Sequence, residues 1–270
     1  MKAMVLVDNM EGNGLKGEWG LSIYIEHKDK SLLLDTGASD LFLENALKMG
    51  INIYDTDIAV LSHAHYDHSN GMRVFFSMNE KADFYIQESC GENCYKKKRI
   101  FRKYIGMPRG IIATNKDRIK RVSGDAEIAD GLWLIPHKTK GLESLGRREE
   151  MYVKEKDGWH FDDFSHEQSL VIEADKGLVI FNSCCHGGAA AIINEVIETF
   201  SDKNVYGLIG GFHLFNKSEG EIREFANRVR NTGIEYICTG HCTGERAYGI
   251  LAEELGNTMH HLKTGLVMEF

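Results

Sequence analysis

The segment LSHAHYDHSNG, residues 61–71, sets three histidines and an aspartate within six positions of a chain that has 12 histidines among 270 residues. His63 and His65 stand two apart, so an extended backbone projects both to one side, where two neutral imidazoles can share a cation. Asp67 and His68 follow past the bend and face elsewhere. That division suits two cations about 3.5–4 Å apart, a spacing at which both act on one substrate oxygen. Imidazole mixed with carboxylate favours borderline-soft divalent ions, zinc first, with iron or manganese as alternatives, over magnesium, which wants more oxygen. A solvated histidine-rich turn explains one such histidine well. It explains poorly four donors in this order, after an apolar strand and before a glycine.

The elements that must hold this loop can be read on either side of it. GLSIYIEHKDKSLLLDTG (20–37) carries two β-rich runs around a polar turn, a hairpin pattern that ends at Asp35. The run after it has apolar residues at 42, 46 and 49 and stops at Gly50, as a helix does, and DIAVLSH (57–63) is a short strand delivering the histidines. The second half repeats the pattern. SLVIEADKGLVIFNSCCHGG (169–188) is a second hairpin, followed by a helical AAAIINEVIETF and the strand VYGLIGGFHLF. A helix opened by the capping box Ser218-x-x-Glu221 comes next, then YICTGHCTGERAYGILAEELG, a strand, a turn and a helix. Strand, helix, strand predicts a layered α/β sheet, and three strand ends in this half carry His186, His213 and His241.

HAHYDH resembles the H-x-H-x-D-H motif of the metallo-β-lactamase superfamily, and the likeness extends to Asp35-Thr36-Gly37, to Cys184 and His186, and to His241. WGLSIYIE, LLLDTGAS, LSHAHYDHSNGM, GLVIFNSCCHGG, IGGFHLF and TGHCTG are similar to the branch that contains dihydropterin-aminobenzene-riboside phosphate synthase, with residues 80–160 the weakest part. The resemblance implies a four-layer αβ/βα sandwich of two similar halves with two divalent metal ions at one edge. It implies that His63 and His65 bind the first ion, that Asp67 and His68 bind the second, and that His241 completes the second site. Asp35 would lie beneath the loop and orient the ligands by hydrogen bonds. Two positions depart from the family pattern. Cys184 stands where many superfamily hydrolases have a bridging aspartate, and a thiolate there is a softer ligand. The histidine that many members carry about 20 residues earlier is matched by His166, but His186 lies two residues past Cys184 on the same strand face and is favoured for the role.

Around this centre, Asp67 is also a candidate to orient a nucleophile, and His213, after Gly210-Gly211, is a candidate general acid or hydrogen-bond donor. Gly187-Gly188 opens a helix, where backbone N–H groups can hold a phosphate. The basic run CYKKKRIFRKYIGMPRG (94–110) has no acid, so Lys98, Arg102 and Arg109 are candidate contacts to an anionic small-molecule substrate. Cys90-x-x-x-Cys94 and Cys238-x-x-x-Cys242 match no usual zinc or iron–sulfur spacing and are assigned no role.

Composition limits the function classes. A net charge of −8 disfavours broad nucleic-acid binding, and no stretch approaches a membrane helix. Six cysteines, two of them adjacent, read as thiols, and MKAMVLVDNM reads as a first strand rather than a signal peptide, so a cytoplasmic protein is expected. One domain over 1–270 is expected, with 90–160 as a lid or insertion and the oligomeric state open. The leading expectation is a metal-dependent hydrolase or transferase acting on a phosphorylated or diphosphate-bearing small molecule, with a pterin-like one suggested by the resemblance. The alternatives are a nuclease-type phosphodiesterase and a non-catalytic di-iron or thiol redox module.

Overall fold

The computed structural model of the chain describes residues 1–270. Its first strand, Lys2–Val7, shows how the layers arise, since Val5 packs between two sheets while Leu6, on the opposite face, packs against helices. Side chains alternate across a strand, so a strand apolar on both faces needs cover on both. The second sheet repeats this. Leu170 and Ile172 face the interior between the sheets, and Val171 faces its own helices.

The first sheet runs in the order Val267–Glu269, Lys2–Val7, Ser22–His27, Lys30–Leu34, Ile58–Val60, Asp83–Gln87 and Ile119–Val122. The second runs Met259–His261, Tyr236–Thr239, Val205–Gly210, Gly177–Phe181, Gln168–Ala174, Leu132–Pro136 and Ala126–Ala129. Phe42, Ala46, Met72 and Phe75, from helices Leu41–Lys48 and Met72–Met78, cover the outer face of the first sheet. Helices Ala189–Thr199, Glu219–Arg230 and Glu245–Leu255 cover the second with Ile192, Val196, Ile222, Phe225 and Leu251. The result is a four-layer αβ/βα sandwich. Each fully buried Leu, Ile or Phe among these layers contributes about 1.5–3 kcal/mol.

Both expected hairpins form, Ser22–His27 with Lys30–Leu34 and Gln168–Ala174 with Gly177–Phe181. The capping box also forms, with Ser218 accepting from the Glu221 N–H and Glu221 accepting from the Ser218 N–H. The final strand leaves its own half and pairs with the first, and the Phe270 N–H donates to the Met1 carbonyl at 3.0 Å. Strands Lys30–Leu34, Ile58–Val60, Gly177–Phe181, Val205–Gly210 and Tyr236–Thr239 all lie in parallel pairings. Their carboxyl ends meet at one edge of the sandwich, where loops can collect ligands.

The region 90–160, expected as a lid or insertion, carries most of a third sheet, in the order Trp159–Phe161, Met151–Lys154, Cys94–Lys98 and Phe101–Tyr104. Its base is anchored by Cys94, Ile105 and Met151 in the first core, and its hairpin tip leaves Ile100 and Phe101 exposed. No helix of the chain is long and apolar enough to cross a membrane.

Candidate metal centre and active site

Asp35 is the hub from which the centre is built. It sits fully buried at the end of Lys30–Leu34 with φ +58, a left-handed conformation uncommon for a residue with a side chain. Its carboxylate accepts from the Ser62 N–H at 2.7 Å, the Ser62 hydroxyl at 2.7 Å, the Ser183 hydroxyl at 2.5 Å and His68 Nδ1 at 2.8 Å. These bonds set tautomers. Because His68 Nδ1–H donates to Asp35, its Nε2 is bare. Ser62 has one hydroxyl proton, which it gives to Asp35, so at 2.9 Å it must accept from His63 Nδ1–H and leave His63 Nε2 bare.

His241 is fixed in the same way from the other half. Its Nδ1 donates to Asn9 Oδ1 at 3.0 Å. The Asn9 amide is itself oriented by two bonds, from its Nδ2 to the His241 carbonyl and from the Gly20 N–H to its Oδ1. His241 Nε2 is therefore bare too, and it lies 3.2 Å from His68 Nε2. Two lone pairs facing each other at that distance repel unless a cation lies between them.

Around this pair the remaining donors close in. His63, His65 and His186 form one group and Asp67, His68 and His241 another, with ligand atoms within 4.8 Å of one another in each. Cys184 Sγ lies 3.4 Å from His68 Nε2, between the groups, and 3.5 Å from Cys242 Sγ. The Nε2 atoms of His63 and His65 and both ring nitrogens of His186 are buried without any hydrogen-bond partner. Buried polar atoms are nearly always satisfied, so this many orphans at one point fit cation ligands. Burial and the neighbouring imidazoles push the pKa values of His63 and His186 well below the ordinary histidine range, which keeps both neutral. Burial opposes ionisation of Asp67, but His68, His241 and His65 outweigh it and hold its carboxyl below the usual range. Trp19 Nε1–H donates to Asp67 at 2.8 Å and fixes one carboxylate oxygen.

His166 takes a different place. Its Nδ1 accepts the Ala64 N–H at 3.2 Å, and its Nε2 faces Asp162 at 3.3 Å. Both nitrogens are thus engaged, in a cluster with Cys94 and Asp162 that touches His65 from behind. His186 is instead the histidine grouped with His63 and His65.

Above the centre is a cavity of ≈ 210 Å³. His65, Asp67, Cys184, His186 and His241 form its floor, Trp19, Phe215 and Met151 line its walls, and Lys96, Lys98 and Lys103 stand at its rim. His213, with φ +51 and both ring nitrogens unpaired, reaches the same cavity. Its ring centroid is 4.9 Å from that of His186, and its Nε2 is 3.8 Å from Glu149, whose carboxylate is bound by Lys217 at 2.6 Å.

Several expectations are corrected. Gly187 offers no N–H to a phosphate, because the buried Glu167 carboxylate accepts from it at 3.1 Å and from the His186 N–H at 2.9 Å. The Gly188 N–H is taken by the Cys185 carbonyl at 2.8 Å. Arg102 and Arg109 do not reach the cavity. In the hairpin Lys96 pairs with Lys103 and Lys97 with Arg102, so alternation puts Lys96, Lys98 and Lys103 on the cavity face and Arg102 on the other. Arg102 lies 4.5 Å from the ring centroids of Tyr152 and Trp159, and Arg109 lies over Tyr104 at 4.6 Å. Of the three basic residues expected, Lys98 alone lines the cavity. Cys242, assigned no role from its spacing, belongs to the centre. The signal for it was adjacency to His241, together with a left-handed turn that spacing cannot reveal.

Three comparisons bear on this geometry. The family model described as the metallo-beta-lactamase superfamily matches residues 20–147. A curated relative from Methanocaldococcus jannaschii, 7,8-dihydropterin-6-methyl-4-(beta-D-ribofuranosyl)-aminobenzene-5'-phosphate synthase, is 27% identical over 270 aligned positions, which span 93% of this chain and 90% of the relative. Among solved structures, Tm1679, described as a metal-dependent hydrolase of the beta-lactamase superfamily, superposes with a TM-score of 0.83 at 28% identity, covering 100% of this chain and 99% of the other. A diphosphatase from the PhnP family shares the fold, with a TM-score of 0.58 at 13% identity over 100% of this chain and 97% of the other. The matched model spans the loop from His63 to His68, and over its full length this chain has the fold of the solved metal-dependent hydrolase of the beta-lactamase superfamily.

Proposed function

We propose that the protein is a metal-dependent hydrolase or transferase that acts on a small phosphorylated or diphosphate-bearing molecule, using two divalent ions, with zinc favoured over iron and manganese. His63, His65 and His186 would hold the first ion, Asp67, His68 and His241 the second, and Cys184 stands where it can serve either. Such ions supply Lewis-acid polarisation of a substrate oxygen and charge stabilisation as the bond to phosphorus is made or broken. The observation that carries the reading is the set of bare imidazole nitrogens gathered at and beneath the floor of a lysine-rimmed cavity.

The chain's own groups divide the remaining work. Lys96, Lys98 and Lys103 give the mouth a positive field in a chain of net charge −8, which draws in an anion and orients its phosphate. Trp19 and Phe215, with ring centroids 5.8 Å apart, give an apolar wall for a ring-bearing substrate, in keeping with the pterin-bearing name of the relative. His213 stands at the edge of the centre, where it can hydrogen-bond or protonate a leaving oxygen, with Glu149 behind it. Asp67, tied to Trp19, orients the attacking group. The small cavity favours a small molecule over a polynucleotide.

The test is metal content by elemental analysis together with turnover of phosphate esters and diphosphates, in wild type and His65→Ala. Two equivalents in wild type, with loss of both metal and turnover in the variant, support the reading. Turnover retained by metal-free His65→Ala eliminates it.

A further inference from the structure

We infer that Cys242 is a second thiolate ligand, beside Cys184, to the ion that Asp67, His68 and His241 would hold, and that the two sulfurs make that half of the centre selective for thiophilic ions such as zinc or ferrous iron. The inference rests on the two-ion reading above and goes beyond it in ligand set and metal class.

The donor spacings carry it. Cys242 Sγ to Cys184 Sγ is 3.5 Å, Cys184 Sγ to His68 Nε2 is 3.4 Å, and His68 Nε2 to His241 Nε2 is 3.2 Å. Cys184, His241 and Cys242 also form a group with all donor atoms within 4.8 Å of one another. A tetrahedral zinc with bonds of about 2.3 Å to sulfur and about 2.0–2.1 Å to nitrogen has edges of about 3.8 Å between sulfurs, about 3.6 Å from sulfur to nitrogen and about 3.3 Å between nitrogens. The three measured edges follow that order and fall short of it by a few tenths of an ångström at most. A disulfide needs the sulfurs at about 2.05 Å, so these are two separate thiols.

The backbone is arranged to bring Cys242 there. Consecutive side chains of an extended chain point apart, but His241 has φ +47, and in this left-handed turn both His241 and Cys242 reach the site. The position opposite is Gly211, where a Cβ would lie 2.5 Å from Cys242 Sγ. The His213 N–H donates to Cys242 Sγ at 3.2 Å, and the Leu214 N–H donates to the Cys242 carbonyl at 3.0 Å. A sulfur that accepts an amide proton while facing another sulfur and the bare imidazole nitrogen of His241 is placed as a ligand.

Soft thiolates beside imidazole select zinc or iron, whereas magnesium and manganese prefer oxygen. The probe is cobalt(II), added to the metal-depleted full-length protein and read by the near-ultraviolet thiolate-to-cobalt charge-transfer band, whose intensity rises with the number of thiolates. Wild type is expected to show the band, Cys184→Ser and Cys242→Ser about half of it each, and the double variant none. Cys185→Ser, whose sulfur faces the Asn182 carbonyl, is expected to keep it in full. A folded Cys242→Ser protein with an undiminished band overturns the inference. Because that variant can fail to fold, X-ray absorption on the zinc-loaded wild type counts sulfur neighbours independently. An average of one sulfur per zinc over two sites supports the inference, and one half per zinc overturns it. Cobalt bound at two equivalents without a charge-transfer band overturns the thiolate assignment alone. No cobalt bound overturns the two-ion reading with it.

Discussion

Asp35→Asn tests the tautomer argument at its root. The carboxylate receives four hydrogen bonds, three at Oδ2 from Ser62 Oγ, Ser183 Oγ and His68 Nδ1 and one at Oδ1 from the Ser62 N–H. An amide has one oxygen. Its cheaper orientation turns that oxygen to the three donors and sets its NH₂ against the Ser62 N–H, leaving a buried donor unpaired. Hydrogen bonds to a charged group are worth about 1.5–3 kcal/mol each, so the variant should lose at least that much stability. The other orientation would make His68 take a proton on Nε2 and lose its lone pair. Either way the ligand is less basic, and outer partners of this kind typically cost ~10–100-fold in metal affinity. A competition titration with a chromophoric zinc chelator measures this directly, with thermal unfolding of the metal-depleted protein as the separate readout of stability. The expected result is zinc bound ~10–100-fold more weakly by the variant. Wild-type affinity at both sites in Asp35→Asn would refute the claim that Asp35 holds the imidazoles in their binding tautomers.

Three further outcomes are expected. Removing the ions with a chelator should lower the unfolding temperature, since a ligand at 1,000 times its Kd adds about 4 kcal/mol, or roughly 8–16 °C for a chain of this size. An unchanged midpoint would mean that the cluster holds no ion. Lys96→Gln and Lys103→Gln should raise KM for an anionic substrate several-fold with kcat nearly unchanged, while Arg102→Gln should leave KM alone because that side chain lies on aromatic rings on the other face of the hairpin. Equal effects at all three positions would undo the alternation argument. Glu149→Gln should cost about 1.5–3 kcal/mol at pH 7, because His213 and Lys217 hold the Glu149 carboxyl well below its ordinary range against the cost of burial. A depressed carboxyl pKa gives stability that is present above the unfolded value, about 4.3, and lost as pH falls below it. The difference in midpoint between wild type and variant should therefore narrow towards pH 3, and a gap independent of pH would show that Glu149 contributes packing rather than charge.

What the sequence determined by itself is local. The hairpins, the helix with its Ser218 capping box and the strand-end positions of His186, His213 and His241 all form as expected, because alternation, capping and turn chemistry act over a few residues. The same holds for His63-x-His65-x-Asp67-His68, whose spacing already separates the donors into the two groups seen in the fold, one with His186 and one with His241. The tertiary structure decided which distant groups meet them. Asn9 and Trp19 bond His241 and Asp67 from far along the chain, Glu167 occupies the Gly187 N–H, and no sequence spacing records such a contact. Choosing His186 over His166 depended on Ala64 and Asp162 filling both nitrogens of the latter. The basic run was legible as charge, but which lysines face the cavity was set by the register of a strand pair. Cys242 shows the limit best, since its side chain reaches the centre only through a left-handed turn at His241 and a missing Cβ at Gly211.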